Sequence, residues 1–302
     1  MVINATPNSD YQFIDWTGSA TVSTATYAFT VTGNMNFTAN FVKATLTAAN
    51  STITIMDGYN LSVNISNNNY SISSVEYYIG NDKLSSCNGT TCNEFSKKPG
   101  RWNIHAKVTL SNGIMLTTNI VQVEVQFPNI STIKANGTIQ SYMDAAWAQT
   151  KNAASSASRQ EFGFWIYVNT NTMTFECDDP PKPGDTVTGC AGTHASVMPG
   201  SPNEQHGSPV QGGKYAVAHF HTHTPLTFCP SDASRTPVGN SSADQTVLSQ
   251  SPYEVPGLVY DYVGGYVEGV VGNAIQGGHN ISASAKVYTF SVNRRPTPPY
   301  TN

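Results

Sequence analysis

Charged side chains are scarce in this sequence of 302 residues. Asp, Glu, Lys and Arg make up only 11% of it, with 15 basic groups against 19 acidic groups and a formal net charge of -4. Nucleic-acid-binding domains carry clusters of Lys and Arg that neutralise phosphates, and this sequence has no such cluster. The composition therefore excludes nucleic acid as the expected partner.

Long apolar runs are also missing. No stretch reaches the roughly 18 consecutive apolar residues from which a transmembrane helix is recognised. The opening residues, MVINATPNSDYQF, lack the basic and then apolar profile of a secretory signal. We expect no membrane span, and we expect that an export signal and any surface attachment lie in regions outside this chain.

Cysteines are few, and four of the five fall into two local pairs on loops. Cys87 and Cys92 enclose a short polar loop, Cys177 and Cys190 flank a Pro/Gly-rich loop, and Cys229 is left over. Neither pair has a second pair at zinc-ribbon spacing, which favours disulfide bonds in an oxidising compartment. Unlinked thiols on loops are the alternative.

Residues 1–43 and 44–128 show the alternation of polar with aromatic or β-branched residues that is typical of strands. Tyr11-x-Phe13-x-x-Trp16, followed by NFTANF, resembles the small β-repeats of bacterial surface proteins. The segments VEYYIGNDKL and PGRWNIHAKVTLSNG resemble bacterial immunoglobulin-like modules. These resemblances imply a small all-β repeat module at 1–43, either complete or partial, and an Ig-like β-sandwich at 44–128. They also imply a bacterial protein that is secreted or held at the cell surface.

The pattern changes near residue 129. The segment TIQSYMDAAWAQTKNAASSASRQ places apolar residues at helical spacing, and EFGFWIYVN, TMTFE and KYAVAHFHTH then indicate strands. SADQTVLSQS indicates a short helix, and further strands follow in GLVYDYV, GYVEGVV and AKVYTFSV. Helices mixed with strands predict a third domain at 129–302 with an α+β or α/β sandwich architecture.

Three of the seven histidines stand at alternate positions on one of these strands, namely His219, His221 and His223. Side chains at i and i+2 of a strand point to the same face, so the last two imidazoles can reach one ion. A catalytic zinc takes three protein ligands and keeps one open position. Asp244, in the first turn of the helix that follows, is the candidate for the third ligand.

Hydrolysis of an amide at neutral pH also needs a proton carrier that is not a metal ligand. Glu161 is the candidate, because it stands at the head of an otherwise apolar strand. Asp232 lies in the intervening loop and is a rival of Asp244. We prefer Asp244 because Ser241 accompanies it and a helix follows.

Taken together, these residues resemble the JAMM (MPN-plus, JAB-like) zinc metallopeptidase family. The family pattern is a distant Glu, then His-Ser/Thr-His-Pro, then Ser-x-x-Asp, and its counterparts here are Glu161, His221-Thr-His223 and Ser241-x-x-Asp244. The resemblance covers about residues 130–290. It implies a cytidine-deaminase-like α/β sandwich that carries one Zn²⁺.

The resemblance also implies a role for each residue. His221, His223 and Asp244 would hold the zinc, Glu161 would act as general base and acid, and Ser241 would stabilise the oxyanion. The sequence departs from the family at Thr224, which separates the second histidine from its proline, and in the longer loop 224–240.

The sequence therefore predicts a zinc-dependent hydrolase of peptide or isopeptide bonds. Its expected substrate is a peptide, a protein or a cell-wall crosslink. The alternative is a non-catalytic secreted or surface binding module whose metal site is vestigial or structural. A zinc deaminase is disfavoured, because the Pro-Cys-x-x-Cys pair of that class is missing.

Overall fold

The structure is a computed structural model, and it describes residues 1–67, 69–155, 157–188, 202, 213–224, 234–235, 242–249, 255–261, 275–276 and 286–290. Within it the chain forms two compact units. The first spans Met1–Gln126, and the second begins at Phe127. The first unit consists of β-strands and loops, whereas the second combines helices with a sheet.

The start of the first unit forms two small antiparallel pairs, in which β1 pairs with β3 and β2 with β4. On β2, Ile14 and Trp16 are buried while the residues beside them are half-exposed, which is the period-two alternation of a strand with one apolar face. The strands are β1 (Val2–Asn4), β2 (Gln12–Gly18), β3 (Thr26–Ala28) and β4 (Phe37–Val42).

The rest of the first unit contains two sheets with the order β10-β7-β5 and β6-β13-β11-β8-β9, and β12 pairs with β11. Ile104, Ala106 and Val108 of β11 are fully buried. Leu46 and Val63 of the other sheet are also buried. The predicted β-rich, sandwich-like character of this region is confirmed. Its strands are β5 (Ala44–Ala48), β6 (Thr52–Thr54), β7 (Leu61–Ile65), β8 (Ile72–Ile79), β9 (Asp82–Lys83), β10 (Thr91–Cys92), β11 (Gly100–Leu110), β12 (Met115–Thr117) and β13 (Val121–Gln126).

The state of the cysteines differs in part from the prediction. Cys87 and Cys92 form a disulfide bond, as predicted. Cys177 carries a free thiol, whose pKa is raised to about 12 by burial and by nearby acidic groups. Its expected partner Cys190 lies outside the described residues, as does Cys229. The structure therefore supports one of the two local disulfides.

The second unit opens with two helices, α1 (Ile130–Ala135) and α2 (Gly137–Ala153). The side chain of Asn129 accepts the amide of Thr132, and that of Asn136 accepts the amides of Thr138 and Ile139. An asparagine at such a position caps a helix, because its carbonyl satisfies amides that have no partner within the helix. Each helix therefore begins where an asparagine stands in the sequence.

The helical pattern read from the sequence extended to residue 160, but α2 ends at Ala153. The buried face of α2 follows the predicted spacing, and Thr150 extends it by one more turn. The residues after Ala153 are rich in serine and contribute the short strand β14 (Ser158–Arg159) instead. The sequence did not predict α1, which buries a single side chain, that of Ile133. No described helix is long and apolar enough to cross a membrane.

The sheet of the second unit has the order β16-β15-β19-β21-β23, and β17 also pairs with β15. β19 runs antiparallel to β15 and parallel to β21. The helix α3 (Ser242–Ser249) lies between β19 and β21 in the sequence. The strands of this unit are β14 (Ser158–Arg159), β15 (Phe162–Asn169), β16 (Thr174–Cys177), β17 (Lys182–Pro183), β18 (Val187–Thr188), β19 (Lys214–Thr222), β20 (Ser234–Arg235), β21 (Gly257–Asp261), β22 (Ile275–Gln276) and β23 (Lys286–Phe290).

The two faces of this sheet are covered by different helices. On one face Phe164 meets Tyr142 of α2, with ring centroids 6.0 Å apart. On the other face Trp165 belongs to a buried cluster that includes Leu248 of α3 and Val255. Since neighbouring residues of a strand point to opposite faces, Phe164 and Trp165 show directly that the sheet lies between α2 and α3.

Replacement of Met143 by alanine should destabilise the second unit. Met143 is fully buried on α2, and truncation of such a side chain typically costs about 2–5 kcal/mol of the free energy of unfolding. Calorimetry of Met143→Ala should show the transition of the second unit at lower temperature. Ser141→Ala, on the exposed side of the same helix, is the control and should change stability by less than about 0.5 kcal/mol. Equal stability of the two variants would contradict the packing of α2.

Candidate metal centre

His219 and His221 lie on β19, a strand that is held at both edges, and His223 directly follows it. β19 is paired with β15 on one side and with β21 on the other, and the amides of His219 and His223 donate to the carbonyls of Pro256 and Tyr260 at 3.1 and 2.8 Å. A strand in this central position has little freedom to twist or slip. The imidazoles are therefore presented on a rigid support.

His221, His223 and Asp244 converge at the end of this strand. Nε2 of His221 lies 3.4 Å from Oδ1 of Asp244, and Nε2 of His223 lies 3.7 Å from Oδ2 of the same carboxylate. The three potential ligand atoms all lie within 4.8 Å of one another. The structure thus brings together all three residues that the sequence predicts as metal ligands.

The spacing of these atoms fits ligands around an ion better than direct hydrogen bonds. A charge-assisted contact between an imidazolium and a carboxylate is about 2.7–2.9 Å long. Ligand atoms placed tetrahedrally at the about 2.0–2.2 Å bond lengths of zinc stand about 3.3–3.6 Å apart. The observed 3.4 Å falls within this second range, and the 3.7 Å to the other carboxylate oxygen lies just above it. Two imidazole nitrogens and one carboxylate oxygen could therefore hold a zinc ion here.

The charge state of Asp244 also suits a metal ligand. Burial would raise the pKa of its carboxyl, but the interactions with His221 and His223 outweigh burial and hold that pKa well below its usual range. The carboxylate therefore stays ionised at neutral pH and in mild acid. A ligand must be deprotonated to bind, and this one already is.

His219 belongs to the wall of the site. It is buried, it lies edge-on against Trp165 with ring centroids 5.0 Å apart, and its ring centroid is 5.9 Å from that of His221. Burial and the neighbouring His221 lower the pKa of its imidazole well below the usual range. His219 is therefore neutral, and among the described residues the group that could hold an ion does not include it.

Glu161 immediately precedes β15 and is buried. Gly163 pairs with His221 across β15 and β19, and strand alternation puts Glu161 on the same face as Gly163. Glu161 is thus on the histidine face, at the end of the sheet where His223 lies. It is not one of the three residues that could ligate an ion. That placement is compatible with a proton carrier.

Two predicted features of the site fall outside the described residues. Ser241 directly precedes α3 in the sequence, and Asp232, the rival ligand, lies between β19 and β20 in the sequence. Their predicted roles stay predictions.

The sequence did not point to a buried pair of threonines beside the site. Thr222, between His221 and His223, faces α2, where its hydroxyl contacts that of Thr150. The only signal in the sequence is that Thr222 alternates with the histidines and so faces away from them. Nothing in it connects position 222 with position 150.

Comparison with known proteins identifies the type of the first module. Residues 1–45 match the family described as divergent InlB B-repeat domain. The match confirms the predicted small β-repeat at the start of the chain, and modules of this type are typical of extracellular bacterial proteins. No curated protein sequence matches the chain significantly.

Among solved structures, the fibronectin(III)-like modules of Clostridium thermocellum CbhA are similar to part of the chain. The sequence identity is 22%, and the alignment covers 27% of this chain and 93% of that chain with a TM-score of 0.24. A TM-score of this size does not establish a shared fold, so no part of the architecture is assigned from it.

Substitution of His223 or Asp244 should strongly weaken metal binding. The wild-type chain should bind about one Zn²⁺, and His223→Ala or Asp244→Asn should weaken binding at least about 100-fold, since each removes one of three ligands. Isothermal titration with Zn²⁺ measures this. His105→Ala, which removes a histidine from the first unit, is the control and should bind like the wild type. Equal affinity of all these variants would place the metal elsewhere.

Proposed function

We propose that the second unit is a zinc-dependent hydrolase of peptide or isopeptide bonds, with a JAMM-like α/β sandwich fold. The observation that supports this most is the convergence of His221, His223 and Asp244 at ligand spacing, with Glu161 on the same face of the sheet. Two histidines and one carboxylate are a ligand set of catalytic zinc, and three protein ligands leave the fourth position open.

The ligands supplied by this chain keep the site cationic. Two neutral imidazoles and one carboxylate offset only one of the two charges of Zn²⁺, and the partly buried surroundings strengthen the remaining field. Bound zinc supplies a Lewis acid and makes water a nucleophile at neutral pH. An amide carbonyl next to the cluster would thus lie in a field that favours negative charge on its oxygen.

Glu161 moves the proton in this proposal. Its carboxylate accepts a proton from the attacking water and returns it to the leaving amine, so it acts first as a base and then as an acid. Gly163 has no side chain, and it lies directly between Lys182 and His221 across three strands. On the histidine face, residue 163 therefore places no side chain opposite His221. By analogy with the JAMM family, Ser241 would donate to the oxyanion.

The substrate class is inferred from the type of module at the start of the chain. The β-repeat at the start of the chain is of a type found in extracellular bacterial proteins, which favours a substrate outside the cell. We propose a secreted or surface-displayed enzyme that acts on a peptide, a protein or a cell-wall crosslink. The modules of the first unit would present the hydrolase rather than take part in the reaction.

Glu161→Gln separates metal binding from catalysis. The zinc-loaded wild type should cleave members of a peptide library read by mass spectrometry. Glu161→Gln should bind the same amount of zinc and cleave about 10²–10⁴ times more slowly, because general acid–base catalysis contributes that much. Glu176→Gln, at a carboxylate on β16 that is tied to Asn169, is the matched control and should cleave like the wild type.

Zinc binding without cleavage of any library member or of purified cell wall would favour the non-catalytic alternative, a surface binding module whose metal is structural. Cleavage that persists unchanged in Glu161→Gln would contradict the role of Glu161 and leave a hydrolase with a different proton carrier.

A further inference from the structure

The peptide group that joins Glu161 to Phe162 is held at both of its ends. Its carbonyl accepts the amide of Gly184 at 2.8 Å, and its amide donates to Oγ1 of Thr222 at 3.0 Å. The first bond runs towards β17 and the second towards β19. The main chain that carries Glu161 is therefore fixed between two strands.

The bond to Thr222 replaces a main-chain bond. The pairing of β15 with β19 ends at Gly163 and His221, and at the next position the amide of Phe162 meets a side-chain hydroxyl instead of a carbonyl. Beyond it, the amide of His223 is bonded to Tyr260 on the other neighbouring strand. The hydroxyl of Thr222 thus connects β15 to β19 at the point where Glu161 and His223 lie on the histidine face.

Helix α2 supports this hydroxyl from behind. Thr222 and Thr150 have no measurable solvent exposure, and their hydroxyls contact each other. Oγ1 of Thr150 also lies 3.1 Å from the carbonyl of Ala146, and Oγ1 of Thr222 lies 3.3 Å from the carbonyl of Phe162. Two hydroxyl hydrogens must serve these three contacts, so one of the contacts goes without a hydrogen at any moment. The amide of Phe162 supplies its own hydrogen and is accepted in every arrangement.

We propose that Thr222 is a positioning residue that fixes Glu161 relative to the group formed by His221, His223 and Asp244. This inference rests on the proposed function, because the position of Glu161 matters only if Glu161 is the proton carrier. The contacts of Thr222 do not depend on that function. The hydroxyl of Thr222 faces α2, away from the histidine face. It therefore touches neither an ion nor a substrate bound on that face. It acts on Glu161 through the amide of Phe162.

The contact itself is tested on the metal-free protein. Thr222→Val keeps the shape of the side chain and removes the hydroxyl, so exchange of the Phe162 amide with deuterium should accelerate at least about tenfold by NMR, as expected for the loss of one hydrogen bond. Thr222→Ser should restore slow exchange. Thr150→Val is the matched control, because it removes the neighbouring hydroxyl but leaves the acceptor of the Phe162 amide. Slow exchange in Thr222→Val would overturn the inference.

The effect on the site is tested with Co²⁺ in place of zinc. In Glu161→Gln the pH midpoint of the visible Co²⁺ absorption should move, because a carboxylate beside the ion is lost. Thr222→Val should move it in the same direction and the double variant no further, while Zn²⁺ affinity stays within about fivefold, since all three ligands remain. A wild-type midpoint in Thr222→Val, beside a shifted one in Glu161→Gln, would overturn the positioning role.

Failure of the proposed function looks different. If the wild type bound neither ion, or if Glu161→Gln left the Co²⁺ midpoint unchanged, the hydrolase proposal would fail. The exchange of the Phe162 amide would still decide whether Thr222 holds the main chain at Glu161.

Discussion

The pairing of Gly163 with His221 is the constraint on which the site of the second unit depends. It sets Glu161 on the same face as the histidines, and it places a residue without a side chain directly opposite His221. A slip of one residue in this pairing would turn the imidazoles towards α2 and bring Thr222 to the face that Glu161 occupies, because side chains alternate along a strand. The register is stabilised on both faces, by Phe164 against Phe220 on one and by Trp165 against His219 on the other.

The meeting of Asp244 with the histidines follows from the connection between two parallel strands. The chain leaves β19 at Thr222, forms α3 and returns as β21 parallel to β19. In such a crossover the start of the helix lies near the carboxyl end of the first strand, where open α/β sheets place their ligands. Leu248 then packs into the core cluster with Trp165. Asp244 in the first turn is thereby held beside His221 and His223.

The parts of this unit that depend on local pattern could be predicted, and the parts that depend on distant contacts could not. Alternation of His219, His221 and His223 was enough to put them on one face, and the helical spacing from Ile139 to Trp147 was enough to find α2. The end of α2 was missed because the serine-rich residues after Ala153 pair as β14, a preference set by a strand about 30 residues away. Cys177 shows the same limit, since its place beside a Pro/Gly-rich loop in the sequence did not reveal that it ends β16 with a free thiol.

Stability alone does not account for the polar residues at this end of the sheet. Glu161, His219 and His221 are each less than about 7% exposed, and Arg159 is buried close by in the sequence. Removing such groups from water costs free energy, which even well-made contacts only offset, and apolar residues of similar volume are often the more stable choice. The second unit has such residues a few positions away, at Phe164, Ile166 and Val217. Buried ionisable groups that cluster at one end of an otherwise apolar sheet are what a site for an ion and its proton carrier requires.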